Sequence, residues 1–276
     1  MVPARRKGNL QLLALREKKN FKGDCPDELK IRMIHFLEQK GLVMPSIPIR
    51  YCFTFGDGSQ EIINLRLDAQ SLELKRDDLP DELPTWTALG FHQCPNCPLT
   101  AEVNPRCPLA VHLVSTVNRF KGKLSYHEIH LNVITPERIF SKLTTLPNAI
   151  SSLMGLISAT CGCPVTAPLR PMARFHLPFA SNEETIYRVA SMYLLAQYFL
   201  RKKGKGTDQE LAGLTDIYMN IQIVNNSFTQ RLRDASQTES TLDAMVILDS
   251  YAQIMPEQIE DSLESISYLF DDFAGR

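Results

Sequence analysis

Ile49-Arg50-Tyr51-Cys52-Phe53-Thr54-Phe55-Gly56-Asp57-Gly58-Ser59, resumed by Ile63-Asn64-Leu65-Arg66-Leu67, is the stretch on which the reading of the fold turns. Ile49, Tyr51, Phe53 and Phe55 alternate with Arg50, Cys52 and Thr54, the period of two that sends every second side chain to one face of a half-buried strand. Gly56 to Ser59 offers turn residues that tolerate positive φ, and Ile63, Leu65 and Leu67 then alternate again. Asp68-Ala69-Gln70-Ser71 turns the chain once more, into a short predicted strand Leu72-Glu73-Leu74. The pattern is that of an antiparallel β-meander.

Working outward, an acidic, proline-broken loop at 76–84 leads to Trp86 and a cluster of cysteines. After Pro108 the period becomes helical, with Ala110, Leu113, Val114, Val117 and Phe120 on one face and Gly122 as the stop. Ile129, Leu131 and Val133 alternate as a strand, and Thr135-Pro136-Glu137 turns it into a partner at 138–144. A second helix is expected from Pro147 to about Thr160, burying Ile150, Leu153, Met154 and Ile157 and stopping at Gly162. Four prolines then keep 164–180 from long regular structure. Ser181-Asn182-Glu183-Glu184 is a capping box opening a helix that carries Ile186, Val189, Ala190, Tyr193, Leu194 and Tyr198 and ends at Arg201-Lys202-Lys203-Gly204. Three further helices are predicted at 208–236, 241–255 and 256–273. The fold class is therefore α+β: an N-terminal β-meander with two interspersed helices, then a C-terminal bundle of about four helices.

Three regions follow from this. Residues 1–45 form a basic arm with a short helix, since Met1 to Lys40 holds ten Lys/Arg against five Asp/Glu and Leu29, Met33, Phe36 and Leu37 share a face. Residues 46–163 form the α+β domain with the cysteines, and 164–276 the proline-rich loop and helical bundle. A net charge of −1 gives no overall drive toward nucleic acid or an anionic membrane, so nucleic acid is an unlikely partner. No apolar run reaches the roughly eighteen residues of a membrane span, and the N-terminus lacks the pattern of a secretion signal. A cytoplasmic protein is expected, in which seven cysteines stay reduced or metal-bound.

Those cysteines carry the chemical signal. Five of the seven precede a proline, and His92-Gln93-Cys94-Pro95-Asn96-Cys97-Pro98 is followed by Cys107-Pro108 and, later, by Cys163-Pro164. Two thiols three residues apart, a third ten residues on and a distant fourth match the way a chain supplies soft ligands to one tetrahedral ion. Cys94, Cys97, Cys107 and Cys163 are the expected ligands, with zinc first and an iron–sulfur cluster as the alternative. Cys161, His92 and His112 are other candidates for the fourth position, and buried thiols acting as small apolar residues are the plain alternative.

The second informative segment is Arg170-Pro171-Met172-Ala173-Arg174-Phe175-His176-Leu177-Pro178. Read as extended, it projects Arg174 and His176 to one side, so Arg170, Arg174 and His176 would clamp a carboxylate or phosphate, joined by Tyr126, His127 and His130. The competing expectation is that the arginines pair with acids such as Glu183 and Glu184 and fasten the loop to the helices. No Ser/His/Asp order, HExxH, P-loop or GxGxxG is present.

Taken together, the Phe91-to-Leu99 block, Gly162-Cys163-Pro164 and the Arg170-to-Phe179 block resemble a bacterial family of unknown function over about residues 47–272, leaving the arm outside. The resemblance implies a bacterial, cytoplasmic protein and carries no activity, cofactor or catalytic residue. The leading expectation is a non-catalytic binding or regulatory protein with a structural metal site, its helical part open to a protein partner or a second copy. The alternative is an enzyme acting on a small anionic substrate through the arginine–histidine segment.

Overall fold

A computed structural model describes residues 46–75, 80, 82–123, 128–236, 242–246 and 263–275. The basic arm, Tyr126, His127, most of the expected helix at 241–255 and the first part of the one at 256–273 lie outside the described residues; 267–270 is a 3-10 turn and 271–274 a short helix.

Five antiparallel strands form one sheet in the order β3-β2-β1-β4-β5. They are β1 (Ser46–Phe55), β2 (Gln60–Asp68), β3 (Leu74–Lys75), β4 (Glu128–Ile134) and β5 (Ile139–Thr145). The β1–β2 register runs from Ser46 opposite Asp68 to Thr54 opposite Gln60. Their loop closes through Phe55 N donating to Ser59 O (2.9 Å) and Gly58 N to Phe55 O (2.9 Å), with Gly58 at φ 82°. β1 sits at the centre because both its edges are paired, to β2 and to β4. The third strand is shorter than its pattern suggested. Leu72 adopts φ 58°, and the Asp68 carboxylate takes the N–H groups of Gln70 and Ser71 (2.9 Å each), so pairing starts only at Leu74.

Helices α1 (Pro108–Arg119) and α2 (Leu146–Thr160) cover one face of the sheet. Tyr51, Phe53, Leu65, Leu67, Leu131 and Val133 from the strands meet Leu113, Val114, Ile150, Leu153 and Ile157 from the helices. Each such buried side chain contributes about 1.5–3 kcal/mol. Both helices end before glycines in the left-handed region, Gly122 at φ 75° and Gly162 at φ 90°.

The proline-rich stretch is not extended. A 3-10 turn at Ala167–Leu169 runs into α3 (Arg170–Arg174), because Pro171 falls at the start of the helix, where its fixed φ and missing N–H do no harm. The premise that put Arg174 and His176 on one side of a strand therefore fails.

The capping box forms as expected: Glu184 N donates to Ser181 Oγ (3.1 Å) and Ser181 N to Glu184 Oε2 (2.7 Å), opening α4 (Asn182–Lys202). Its buried stripe runs through Tyr193 to Gln197, whereas Leu194 and Tyr198 are exposed. The next helix, α5 (Ala212–Ser236), starts later than Asp208. Asp208 stays outside it and accepts Tyr193 Oη (2.8 Å) and Gly213 N (2.8 Å). One apolar stripe along α5 serves two cores. Leu214, Tyr218 and Ile221 pack with α4, whereas Val224, Phe228 and Leu232 join the sheet core. The molecule is mixed α+β, with its helices toward the C-terminus. Among the described residues no helix is long and apolar enough to cross a membrane.

Candidate metal centre and the neighbouring cavities

A 3-10 turn at Thr85–Thr87 buries Trp86 and delivers the chain to the cysteine loop. That loop is closed at its base by Leu89 N donating to Pro105 O (3.0 Å) and Cys107 N to Thr87 O (2.8 Å). Cys94 and Cys97 lie in a tight turn, with Cys97 N donating to Cys94 O (3.0 Å). Cys107 stands at the N-cap of α1 in an extended conformation, its thiol making no cap bond. The turn at Gly162 approaches the start of α1, where a Cβ on Gly162 would lie 4.0 Å from Pro108 Cβ, and Cys163 acts electrostatically on Cys107. Asn96 ties the loop to α5 by donating Nδ2 to Asn220 O (3.0 Å) and Oδ1 (2.9 Å).

The four expected cysteines share one electrostatic neighbourhood. Burial pushes the Cys94 thiol up to about 11, opposed by the Ser227 hydroxyl and reinforced by Cys107, Cys163 and Cys97. Cys107 is raised by burial too, against the N–H of Ala110 and the Arg231 charge. Among the described residues, no three His, Cys, Asp or Glu are grouped tightly enough to hold a metal ion as their side chains stand. The thiols are thus neighbours without a closed coordination sphere. Cys161 is buried and donates its S–H to Ser158 O (3.3 Å), and His92 contacts Asp234 (2.6 Å) on α5. Cys52, on the opposite face of the sheet, is buried and disulfide-bonded, so the expectation of reduced thiols fails there.

Sequence reasoning missed the residue that faces these sulfurs. Arg231 is 2% exposed, donating to Trp86 O (2.5 Å), Ala88 O (2.8 Å) and Leu89 O (3.3 Å) and lying 5.8 Å from the Phe91 ring. Among the described residues it has no carboxylate partner. Burial lowers its pKa, while Cys107, Cys94 and Cys97 are the groups that push it back up. A signal was present: Arg231 falls on the same stripe of α5 as Val224, Phe228 and Leu232, where a charge has no business without a partner.

The arginine–histidine segment is dispersed. Arg170 pairs with Glu73 (3.1 Å) and Arg174 with Glu137 (3.2 Å), so both fasten the segment to the sheet side rather than to Glu183 or Glu184. His176 turns inward to Tyr51, Nε2 to Oη 2.5 Å, and burial, aided by the Arg188 charge, lowers its pKa to about 3. His130 instead bonds Ser141 Oγ (3.0 Å) across β4 and β5.

Two cavities adjoin this histidine. The larger, about 440 Å³, lies between β5, α2, the 166–180 segment, α4 and α5, and the smaller, about 280 Å³, is reached by Arg174. His176 and Arg188 line both. The larger exists because one face of α2 is cut back to Asn148, Ser151, Ser152, Gly155 and Ser158, opposite the face that fills the core.

No curated protein and no solved structure matches the chain. The profile of a family described as a domain of unknown function, DUF6901, matches residues 49–271, close to the span of the resemblance read from the cysteine and arginine blocks. The chain belongs to the DUF6901 family.

Proposed function

We propose that this is a non-catalytic binding or regulatory protein in which Cys94, Cys97, Cys107 and Cys163 hold a structural metal ion, zinc in first place, that pins the loop at 91–108 against the segment after Gly162. The observation that carries it is Arg231: a fully buried guanidinium beside these thiols with no carboxylate partner among the described residues. A buried cation is costly unless it is compensated. Neutral thiols offer nothing, and burial keeps Cys94 and Cys107 neutral on their own. Four thiolates around a divalent ion carry a net charge of about −2 and would compensate it. An iron–sulfur cluster on the same thiols satisfies the same charge requirement and is the alternative cofactor.

The reading requires the four ligand thiols to stay reduced, and all four are free, whereas Cys52 on the other face of the sheet is disulfide-bonded. A protein partner or self-association fits the exposed Leu195 and Phe199 of α4. Elemental analysis and an absorption spectrum of the purified protein test the proposal. Near one equivalent of zinc is expected, and a brown cluster absorbing visible light would move the assignment to iron. Less than about a tenth of an equivalent of either metal, in protein refolded with both supplied, removes the proposal.

A further inference from the structure

The larger cavity has the size of a small-molecule site, and its lining mixes apolar side chains with hydroxyl, amide and basic groups. Lys142 and Arg188 line it, and no Asp or Glu does among the described residues, the carboxylate that acts on Arg188 being Glu184, one turn back on α4 and outside the lining. Both hydrogen bonds of Arg188 to protein, to Met172 O (3.2 Å) and Phe175 O (2.8 Å), leave from Nη2, so Nε and Nη1 keep their donors. Lys142 contacts the Phe179 ring (5.6 Å) but no carboxylate among the described residues.

Two further groups point to a ligand independently of that charge. Tyr218 and Asn225 are each 6% exposed and both line the cavity; their side-chain polar atoms bond no other described residue and are not sealed from solvent, so they are open to a ligand there. They stand two turns apart on α5 above the small-residue face of α2, and the Arg188 charge acts on Tyr218. His176 does not supply the positive charge, because burial holds it neutral near pH 7.

We infer that this cavity binds a small organic anion, its carboxylate or phosphate group held by Arg188 and Lys142, its polar edge by Tyr218 and Asn225, and its apolar body against Met172 and Ile221. The inference does not rest on the metal reading, and metal content does not enter its test. Neither Arg170 nor Arg174, the arginines that the sequence nominated for an anion, lines this cavity.

Calorimetric titration of the full-length chain with benzoate, phenyl phosphate and neutral benzyl alcohol tests it. At least one anion binds, the two anions separate carboxylate from phosphate, and benzyl alcohol gives no heat at the same concentrations. Arg188→Gln weakens the bound anion by about tenfold or more. Lys142→Gln, at an exposed position that cannot disturb the core, weakens it by about threefold or more. If Arg188→Gln fails to fold, Lys142→Gln decides. Absence of binding by both anions, equal binding of benzyl alcohol, or unchanged affinity in the folded variants overturns the inference.

Discussion

Replacing Arg231 by methionine separates a charge held by a metal centre from one held only by carbonyls. The guanidinium makes two short contacts, to Trp86 O and Ala88 O, and a longer one to Leu89 O. Hydrogen bonds from a charged donor contribute about 1.5–3 kcal/mol each, so removing the two short ones costs about 3–6 kcal/mol gross. Methionine also relieves the desolvation of a buried cation, which is several kcal/mol when nothing compensates it. In metal-stripped protein the two effects nearly cancel, and a net loss of about 1–2 kcal/mol is expected. In zinc-loaded protein the thiolate charge has already compensated the cation, and the loss rises to about 3–5 kcal/mol. The difference, about 2 kcal/mol, must appear as a roughly thirtyfold weaker zinc affinity. Competition against a chromophoric chelator measures that affinity, and urea unfolding of loaded and stripped samples measures the two stabilities. Identical zinc affinity in Arg231→Met and the parent protein would refute the reasoning, as would equal destabilisation with and without metal.

Two other predictions concern the junction of α4 and α5. An alanine Cβ at Gly213 would fall 2.3 Å from Tyr193 Oη, displacing the ring from Asp208. Gly213→Ala should therefore lose about 1–2 kcal/mol net, despite the better helix propensity of alanine, and a thermal melt matching the parent would contradict this. Asp208 has its pKa held below 3.8, first by the Gly213 N–H and next by the Tyr193 hydroxyl. Because the folded value is depressed, its stabilisation is complete above the ordinary carboxylate pKa and is lost as pH falls below about 4 toward the folded value. Urea midpoints between pH 6 and pH 3 should drop less steeply for Asp208→Asn than for the parent, and parallel profiles would exclude the effect.

Local pattern carried the elements well wherever burial was one-sided. The alternation at Ile49–Phe55 and Ile129–Val133, the helical stripes before Gly122 and Gly162, and the Ser181 capping box each depend on neighbours within a few residues, and each forms. The misreadings arose where a backbone choice depended on more than pattern. Leu72 was taken into β3, but its left-handed φ inside the Asp68 turn postpones pairing. The prolines of 164–180 suggested an extended loop, yet Pro171 at a helix start is as acceptable as proline in a strand-like segment. Leu194 and Tyr198 looked like a continued stripe on α4 and are exposed.

The candidate sites divide in the same way. That the thiols of Cys94, Cys97 and Cys107 lie in one short stretch is a matter of spacing, because a tight turn and a short loop confine them whatever the rest of the fold does. That Cys163 comes to act on Cys107, and that Arg231 arrives from much later in the chain to face these thiols, follows only from how α2 and α5 pack on the sheet. The same holds for the cavity. Arg170 and Arg174 are conspicuous in the chain, but their pairing with Glu73 and Glu137 is decided by which strand edge the segment meets. Arg188, Tyr218 and Asn225 carry no motif at all. They converge because one helix crosses two cores and leaves a gap against the small-residue face of α2, and such long-range apposition is set by side-chain packing between elements rather than by any local preference of the backbone.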